Sequence, residues 1–401
     1  MLQINPAIAM QATTTIGLQL IAAFLLMSAA QAAPIERQLA PGVQAWQSNI
    51  QTGSSEFELR AAAVSWADET AMMTVVRVPD GERRSNGLLQ AWTTRLDARD
   101  PRVAEWVPAA SPEVPLSGRR GAKLLGSLVA ATSERTFVSW SVDEKGTHRL
   151  TRLDTAAEKV VSLGLPSVEV RGLRSHAPQR FVVVGSAGMV PFCAELDSDG
   201  NVLRKWVLRD IVGAVVVAQP TADGGLVALI DTSTSSDTAL TVARVQADGV
   251  LGARVDRSGQ AMDLVSLRDG GLAVTYARSR VATYEVRLLT LAPDASSVRG
   301  DVELLVTSTT PGRFRLGAAP QGGVVVAGVR ERGLWVGRFD GSGQTLWDAR
   351  TDPRRREDLE LTLGVDLQSD GRGRFLLAYS ALVTEGRRQI SVVRALRFNL
   401  D

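Results

Sequence analysis

Seven times along the chain, an alternating stretch closes on an apolar residue followed by a polar or turn residue. The copies are Arg95-Leu96-Asp97, Arg152-Leu153-Asp154, Glu195-Leu196-Asp197, Arg244-Val245-Gln246, Thr290-Leu291-Ala292, Arg338-Phe339-Asp340 and Arg397-Phe398-Asn399. Their first members lie 57, 43, 49, 46, 48 and 59 residues apart, which sets a unit of about fifty residues. A repeat of this length has to be one supersecondary unit that buries its faces against its neighbours.

Each copy follows a run rich in β-branched and aromatic residues: Met72 to Val78, Phe137 to Val142, Phe181 to Gly185, Leu226 to Ile230, Leu272 to Tyr276, Val324 to Val329 and Phe375 to Tyr379. A tight polar or glycine-rich turn precedes each run, as in Ala222 to Gly225, Arg268 to Gly271 and Pro320 to Gly323. Asp-Gly and Gly-Gly pairs supply the positive φ that such turns need. A further turn and a fourth strand follow each phrase. Four antiparallel strands per unit, repeated seven times without a helical period between them, predict an all-β chain, a seven-bladed β-propeller.

A ring of blades must close, or a bare sheet edge remains. Unit seven stops at Asp401, directly after its third strand, and Pro41 to Trp46 is similar to the fourth strands at Gln344 to Trp347 and Val202 to Trp206. Val43 to Ile50 is therefore expected to pair with Ser391 to Phe398 and complete blade seven.

Residues 1–33 carry no charged side chain, and Ile16 to Met27 is an apolar run of signal-peptide length that ends in small residues. Ala30-Gln31-Ala32 is an A-x-A cleavage pattern, so cutting is expected near Ala32 or Ala33, whether translation starts at Met1 or Met10. This makes residues 1–33 an expected signal peptide and residues 34–401 a single propeller domain, periplasmic or extracellular and with no retained membrane anchor. The single Cys193 between Phe192 and Ala194 fits a buried thiol.

The fourth strands carry Trp46, Trp106, Trp206 and Trp347. In this the chain resembles bacterial secreted seven-bladed β-propeller repeat proteins of broadly quinoprotein-like rhythm, over residues 43–401. The resemblance is one of architecture. Three units lack the tryptophan, and the Asp-Gly-Trp spacing is off by one in Asp340 to Trp347. The four indoles are expected to pack between neighbouring blades.

Chemistry is sparse. Forty-five basic residues face forty-three acidic ones, and aromatics are 5%, which disfavours a nucleic-acid binder. There is no Gly-x-Ser-x-Gly elbow and no glycine-rich phosphate loop ending in lysine. His148 is expected between the second and third strands of unit two and His176 in the first turn of unit three, on opposite faces, so no zinc site is assigned. Glu195-x-Asp197-x-Asp199-Gly200 imitates the start of a calcium loop, but Trp206 stands where a closing Glu would be, and a hairpin turn explains the same residues. Asp68 with Glu69 and Glu357 with Asp358 are adjacent loop acids with no assigned acid or base role. No catalytic residue, cofactor or metal is assigned.

The turns joining strands one to two and three to four should be short and lie on one face. The connections on the other face, including Pro79 to Gly87, Pro108 to Lys123, Asp231 to Asp237 and Thr351 to Leu359, should be longer and carry the binding function. Arginine occurs in six of seven connections between blades, at Arg119 and Arg120, Arg171, Arg209, Arg257, Arg313 and Arg354 to Arg356. In so arginine-rich a chain that frequency is close to chance. Arg354, Arg355 and Arg356 are kept as candidate partner contacts. The expectation is a monomeric, non-catalytic binding or scaffolding module for a protein or other macromolecule. The alternative is an enzyme that holds a cofactor or sugar at the channel mouth, a quinoprotein-like oxidoreductase, lyase or hydrolase.

Overall fold

In the computed structural model, the described residues are 43–52, 57–67, 70–79, 86–95, 106–108, 114–117, 128–131, 136–142, 148–154, 158–161, 168–177, 179–330, 333–350, 357–359, 365–370, 372–385 and 388–400. The cleavage segment and Arg354 to Arg356 lie outside them. All the regular structure they contain is β, and no helix among them is long and apolar enough to cross a membrane.

The strands form seven antiparallel sheets. β1 (Gln44–Thr52) is the first strand of the chain. The sheet that follows it holds β2 (Phe57–Ala67), β3 (Thr70–Pro79), β4 (Asn86–Arg95) and a fourth strand in two pieces, β5 (Val107–Pro108) and β6 (Val114–Ser117), both paired with β4. Next come β7 (Leu128–Ala131), β8 (Thr136–Val142), β9 (His148–Asp154) and β10 (Glu158–Val161). The third sheet is β11 (Val168–Ala177), β12 (Arg180–Ala187), β13 (Val190–Asp197) and β14 (Val202–Val207). The fourth is β15 (Ala214–Pro220), β16 (Leu226–Asp231), β17 (Ala239–Val245) and β18 (Leu251–Ser258). The fifth is β19 (Gln260–Ser266), β20 (Leu272–Ser279), β21 (Tyr284–Leu291) and β22 (Val298–Thr307). The sixth is β23 (Arg315–Ala318), β24 (Val324–Arg330), β25 (Gly333–Phe339) and β26 (Thr345–Arg350). The last contains β27 (Glu357–Leu359), β28 (Val365–Ser369), β29 (Arg374–Glu385) and β30 (Arg388–Asn399), with β1 on its outer edge.

The first strands make the inner ring. β2, β7, β11, β15, β19, β23 and β28 pack each against the next, and β28 packs back on β2. The ring is held shut in the last sheet, where β1 runs antiparallel to β30 from Gln44 opposite Asn399 to Thr52 opposite Val392. The closing strand inferred from Trp46 and its neighbours is thus present, beginning one residue later and ending two residues later than expected.

Second and third strands are buried on both faces, so they are nearly continuous apolar runs. In β29 the alternation divides one strand between two interfaces. Phe375, Leu377 and Tyr379 pack with Val325, Ala327 and Val336 of the sixth sheet, whereas Leu376 and Ala378 pack with Val64, Ala71 and Met73 of the first. The core therefore lies between blades. Trp206 is fully buried with Leu226, Ala228 and Val245 of the next sheet, and Trp347 packs on the cluster shared by the sixth and seventh sheets, so these outer-strand indoles act as inter-blade packing. Trp106 is buried against Val64 and Val393.

The first turns show why the sequence repeats Asp-Gly-Gly. Gly224 and Gly270 have φ of 87° and 82°. At the next residue, a Cβ on Gly225 would stand 2.3 Å from the Val245 carbonyl oxygen. The aspartates Asp223 and Asp269 accept the N–H of Gly225 and Gly271 and pair with Arg244 and Arg299. Local turn chemistry and third- or fourth-strand arginines thus fix the same corner.

Several expectations are corrected. The difference in loop length between the faces does not hold across the ring: only Gly188 and Met189 join β12 to β13, and Gly259 alone joins β18 to β19, both on the face expected to carry long loops. Of the named long connections, only Asp231 to Asp237 lies wholly within the described residues. It is tied across itself by Thr234 N–H to Asp237 O and by Thr232 N–H to Ala239 O. Glu357 and Asp358 belong to strand β27 and not to a loop. His148 opens β9 and His176 lies within β11 and not in a turn, although the two remain at opposite ends of neighbouring blades.

Candidate functional site

The inner strands all run the same way, from the face of the blade-to-blade connections to the face of the Asp-Gly turns. Their side chains line the central channel. The first-strand sequences place charged residues there in only some blades: Arg171 and Arg174 on β11, Asp263 on β19, Arg315 on β23, Asp366 on β28, and Arg313 just before β23.

Asp263 has no exposed side-chain surface. One carboxylate oxygen accepts Leu264 N–H at 2.9 Å and an Arg174 N–H at 3.0 Å, while the other accepts Leu316 N–H of the next blade at 2.9 Å. Arg174 also donates to the Leu264 carbonyl at 2.7 Å, so one side chain from the third sheet reaches across to the fifth. Asp366 repeats the arrangement at the closing seam, accepting Val64 N–H of the first sheet at 2.8 Å and lying 3.1 Å from Arg315 Nε. Burial pushes the Asp366 carboxyl up, against the opposing pull of Arg315 and the Val64 N–H. Both carboxylates act as ties from one blade to the inner strand of the next, with an arginine neutralising each.

The mouth on the connection side differs. Arg171 is the extra residue of a bulge between Val170 and Gly172, and it pairs with Glu169 at 3.1 Å and Asp231 at 3.2 Å. Arg313, from the opposite side of the ring, is exposed and makes no hydrogen bond or ion pair with any described residue. Although solvent reaches the side chain, the protein packed around it in the ring, and then the neighbouring Arg315, push its pKa down to about 10, with Asp366 and Asp263 opposing and Arg171 adding to the shift. Bulges re-aim side chains at such rims. Among the connection arginines the sequence singles out only Arg354, Arg355 and Arg356, which lie outside the described residues. The structure brings Arg171 and Arg313 to one mouth, whereas Arg257 turns outward to Asp301 at 3.5 Å.

The same face carries exposed apolar side chains. Met189, Val212 and Val281 are 72%, 58% and 110% exposed, the three highest values among the described large hydrophobics. Met189 and Val212 are neighbours, because Gly213 N–H donates to the Met189 carbonyl at 2.9 Å. The other expected sites resolve into turns or lie elsewhere. Asp197 accepts the N–H groups of Asp199 and Asn201 and the Asn201 amide, so the calcium-like run is a hairpin turn. Among the described residues no group of three or more His, Cys, Asp or Glu side chains is placed to hold a metal. Arg354, Arg355 and Arg356 fall outside the described residues, as do Asp68 and Glu69.

No protein-family model matches the chain, and no curated protein does. Solved structures do. The chain is similar to the β-propeller domain of the Trilobed protease from Pyrococcus furiosus, described as having an open velcro topology, with 10% identity, a TM-score of 0.50 and coverage of 85% of this chain and 94% of that one. It is similar to Sqt1 from Chaetomium thermophilum, with 10% identity, a TM-score of 0.50 and coverage of 88% and 100%. It is also similar to the polysaccharide lyase Uly1, with 11% identity, a TM-score of 0.50 and coverage of 85% and 90%. At these identities the likeness establishes the β-propeller fold and nothing of activity.

Proposed function

We propose that the chain is an exported, non-catalytic β-propeller that binds a protein partner through the face carrying the blade-to-blade connections, around the channel mouth. One observation carries this reading: Met189, Val212 and Val281, the most exposed large apolar residues described, all stand on that face. Exposed apolar side chains on short, hydrogen-bonded connections cost solubility without stabilising the fold, and they are what a docking surface needs. Export rests on the uncharged apolar segment and the A-x-A pattern at Ala30 to Ala32.

The rival is an enzyme that uses the channel; one similar structure is a polysaccharide lyase. Against it stand Asp263 and Asp366, whose oxygens are committed to backbone N–H groups and arginines and so are poor acids or bases. A quinoprotein-like cofactor role for the blade tryptophans is weakened by the burial of Trp206 between blades.

The test is site-specific photocrosslinking in the exported protein. A photoreactive residue at Val281 or Met189 should give a discrete protein adduct that the same residue at Val250, 47% exposed on the opposite face, does not. Equal labelling from both faces, or none from either, overturns the reading.

A further inference from the structure

We infer that the channel mouth on this face is an anion site in which Arg313, seconded by Arg171 across the ring, receives a carboxylate presented by the bound partner. This rests on the face assignment above and adds the chemistry recognised at its centre.

The argument is one of accounting for the channel cations. Arg174 is used by Asp263 and the Leu264 carbonyl, Arg315 by Asp366, and Arg171 in part by Glu169 and Asp231. Arg313 alone has no partner among the described residues, although two carboxylates lie near enough to act on it electrostatically. Asp263 is held by two backbone N–H groups and Arg174, and Asp366 by the Val64 N–H and its ion pair with Arg315. The like charges of Arg315 and Arg171 and the confinement of the ring leave this guanidinium less comfortable than an ordinary surface arginine. An anion entering from the mouth would gain a planar fork of donors in a site that excludes part of the bulk water. At the register position of Asp263 the four remaining first strands carry no acid: the matching residues are Ala63, Leu128, Gly172 and Val217. Glu169 and Asp231, described acids that face the mouth, are held by Arg171.

A carboxylate suits the site because it matches the guanidinium fork at a place that a side chain or chain terminus can enter. A free small anion shares that chemistry, and the experiment separates the two sources. Calorimetric titration at low ionic strength would use succinate, inorganic phosphate, a short peptide with a free C-terminal carboxylate, the same peptide amidated, and the amidated peptide carrying one internal glutamate. Wild-type protein should bind the free-carboxylate or glutamate peptide more tightly than the amidated one. Arg313→Gln should weaken that binding about tenfold or more, the loss of a charge-assisted hydrogen bond. It should also leave the melting temperature in anion-free buffer unchanged or raised, since no described partner is orphaned. Arg254→Gln, at an exposed surface pair with Asp256, should bind like wild type. Tighter binding of succinate or phosphate than of any peptide would move the source to a free small anion and overturn the partner assignment. Equal binding by wild type and Arg313→Gln, or no binding of any carboxylate, overturns the site itself. Either failure leaves the crosslinking result at Val281 standing on its own.

Discussion

Single carboxylates carry much of the organisation of the channel. Asp263 and Asp366 come from equivalent places in two first strands, and each reaches the backbone of the following blade. A buried carboxylate held by two backbone N–H groups and an arginine cannot be removed without stranding its donors. Asp263→Ala should therefore destabilise the protein by about 3 kcal/mol or more, seen as a shifted denaturation midpoint at unchanged slope. A loss under about 1 kcal/mol would mean that the ties are incidental. None of this was legible in the sequence. The two aspartates sit in ordinary apolar strand runs, and their role depends on which residue of the next blade lies opposite. Arg171 and Arg313 were visible as arginines in connections, but sequence frequency has no access to the fact that a bulge and the curvature of the ring bring them to one mouth. Cys193 was readable, because apolar neighbours on a second-core strand already imply burial. The structure buries it fully, and that burial, then the nearby Glu195, pushes the thiol up.

At the level of the element, the most informative signals were the turns. Asp340 accepts N–H donors from Ser342 and Gln344 and the Ser342 hydroxyl, and Asp370 accepts those of Arg372 and Arg374. These are local bonds, so the local sequence dictates them. The same bonds set a pH dependence. The Ser342 hydroxyl, then the backbone N–H groups, hold the Asp340 carboxyl below the usual range, and Arg299 does the same for Asp269. A depressed folded-state pKa gives stability that is present above the unfolded value, about 4, and is lost as pH falls through the folded value. Asp340→Asn should be less stable than wild type at neutral pH and should lose less on acidification. Parallel stability curves from pH 7 to the acid limb would contradict this. Strands two and three, buried on both faces, were found within a few residues from their β-branched runs. The fourth strand of the first sheet was not, because β5 and β6 are two short pieces set against one β4. The first strands were the least legible, since their bulges shift the alternation by one residue.

For the whole molecule, the repeat carried the architecture and the missing last strand carried the closure. Both follow from the need of each unit to bury two faces and of the final sheet to cover its edge. β1 meets that need by pairing along β30, joining the two ends of the described chain in one sheet. The expected division into a short-turn face and a long-loop face came from the lengths of a few connections, and Gly188 with Met189, and Gly259 alone, show that it does not run all round the ring. The proposed docking face is distinguished instead by what its connections expose, Met189, Val212 and Val281. The proposed role is that of a partner-docking ring, its channel tied by the Asp263 and Asp366 ion pairs. Native mass spectrometry of the exported protein, purified without denaturation and compared with its denatured mass, tests this most directly. The account predicts the mass of the processed polypeptide, alone or with a second protein, once exchangeable buffer anions are removed. A stoichiometric organic cofactor released only on denaturation would contradict it and make the channel an active site.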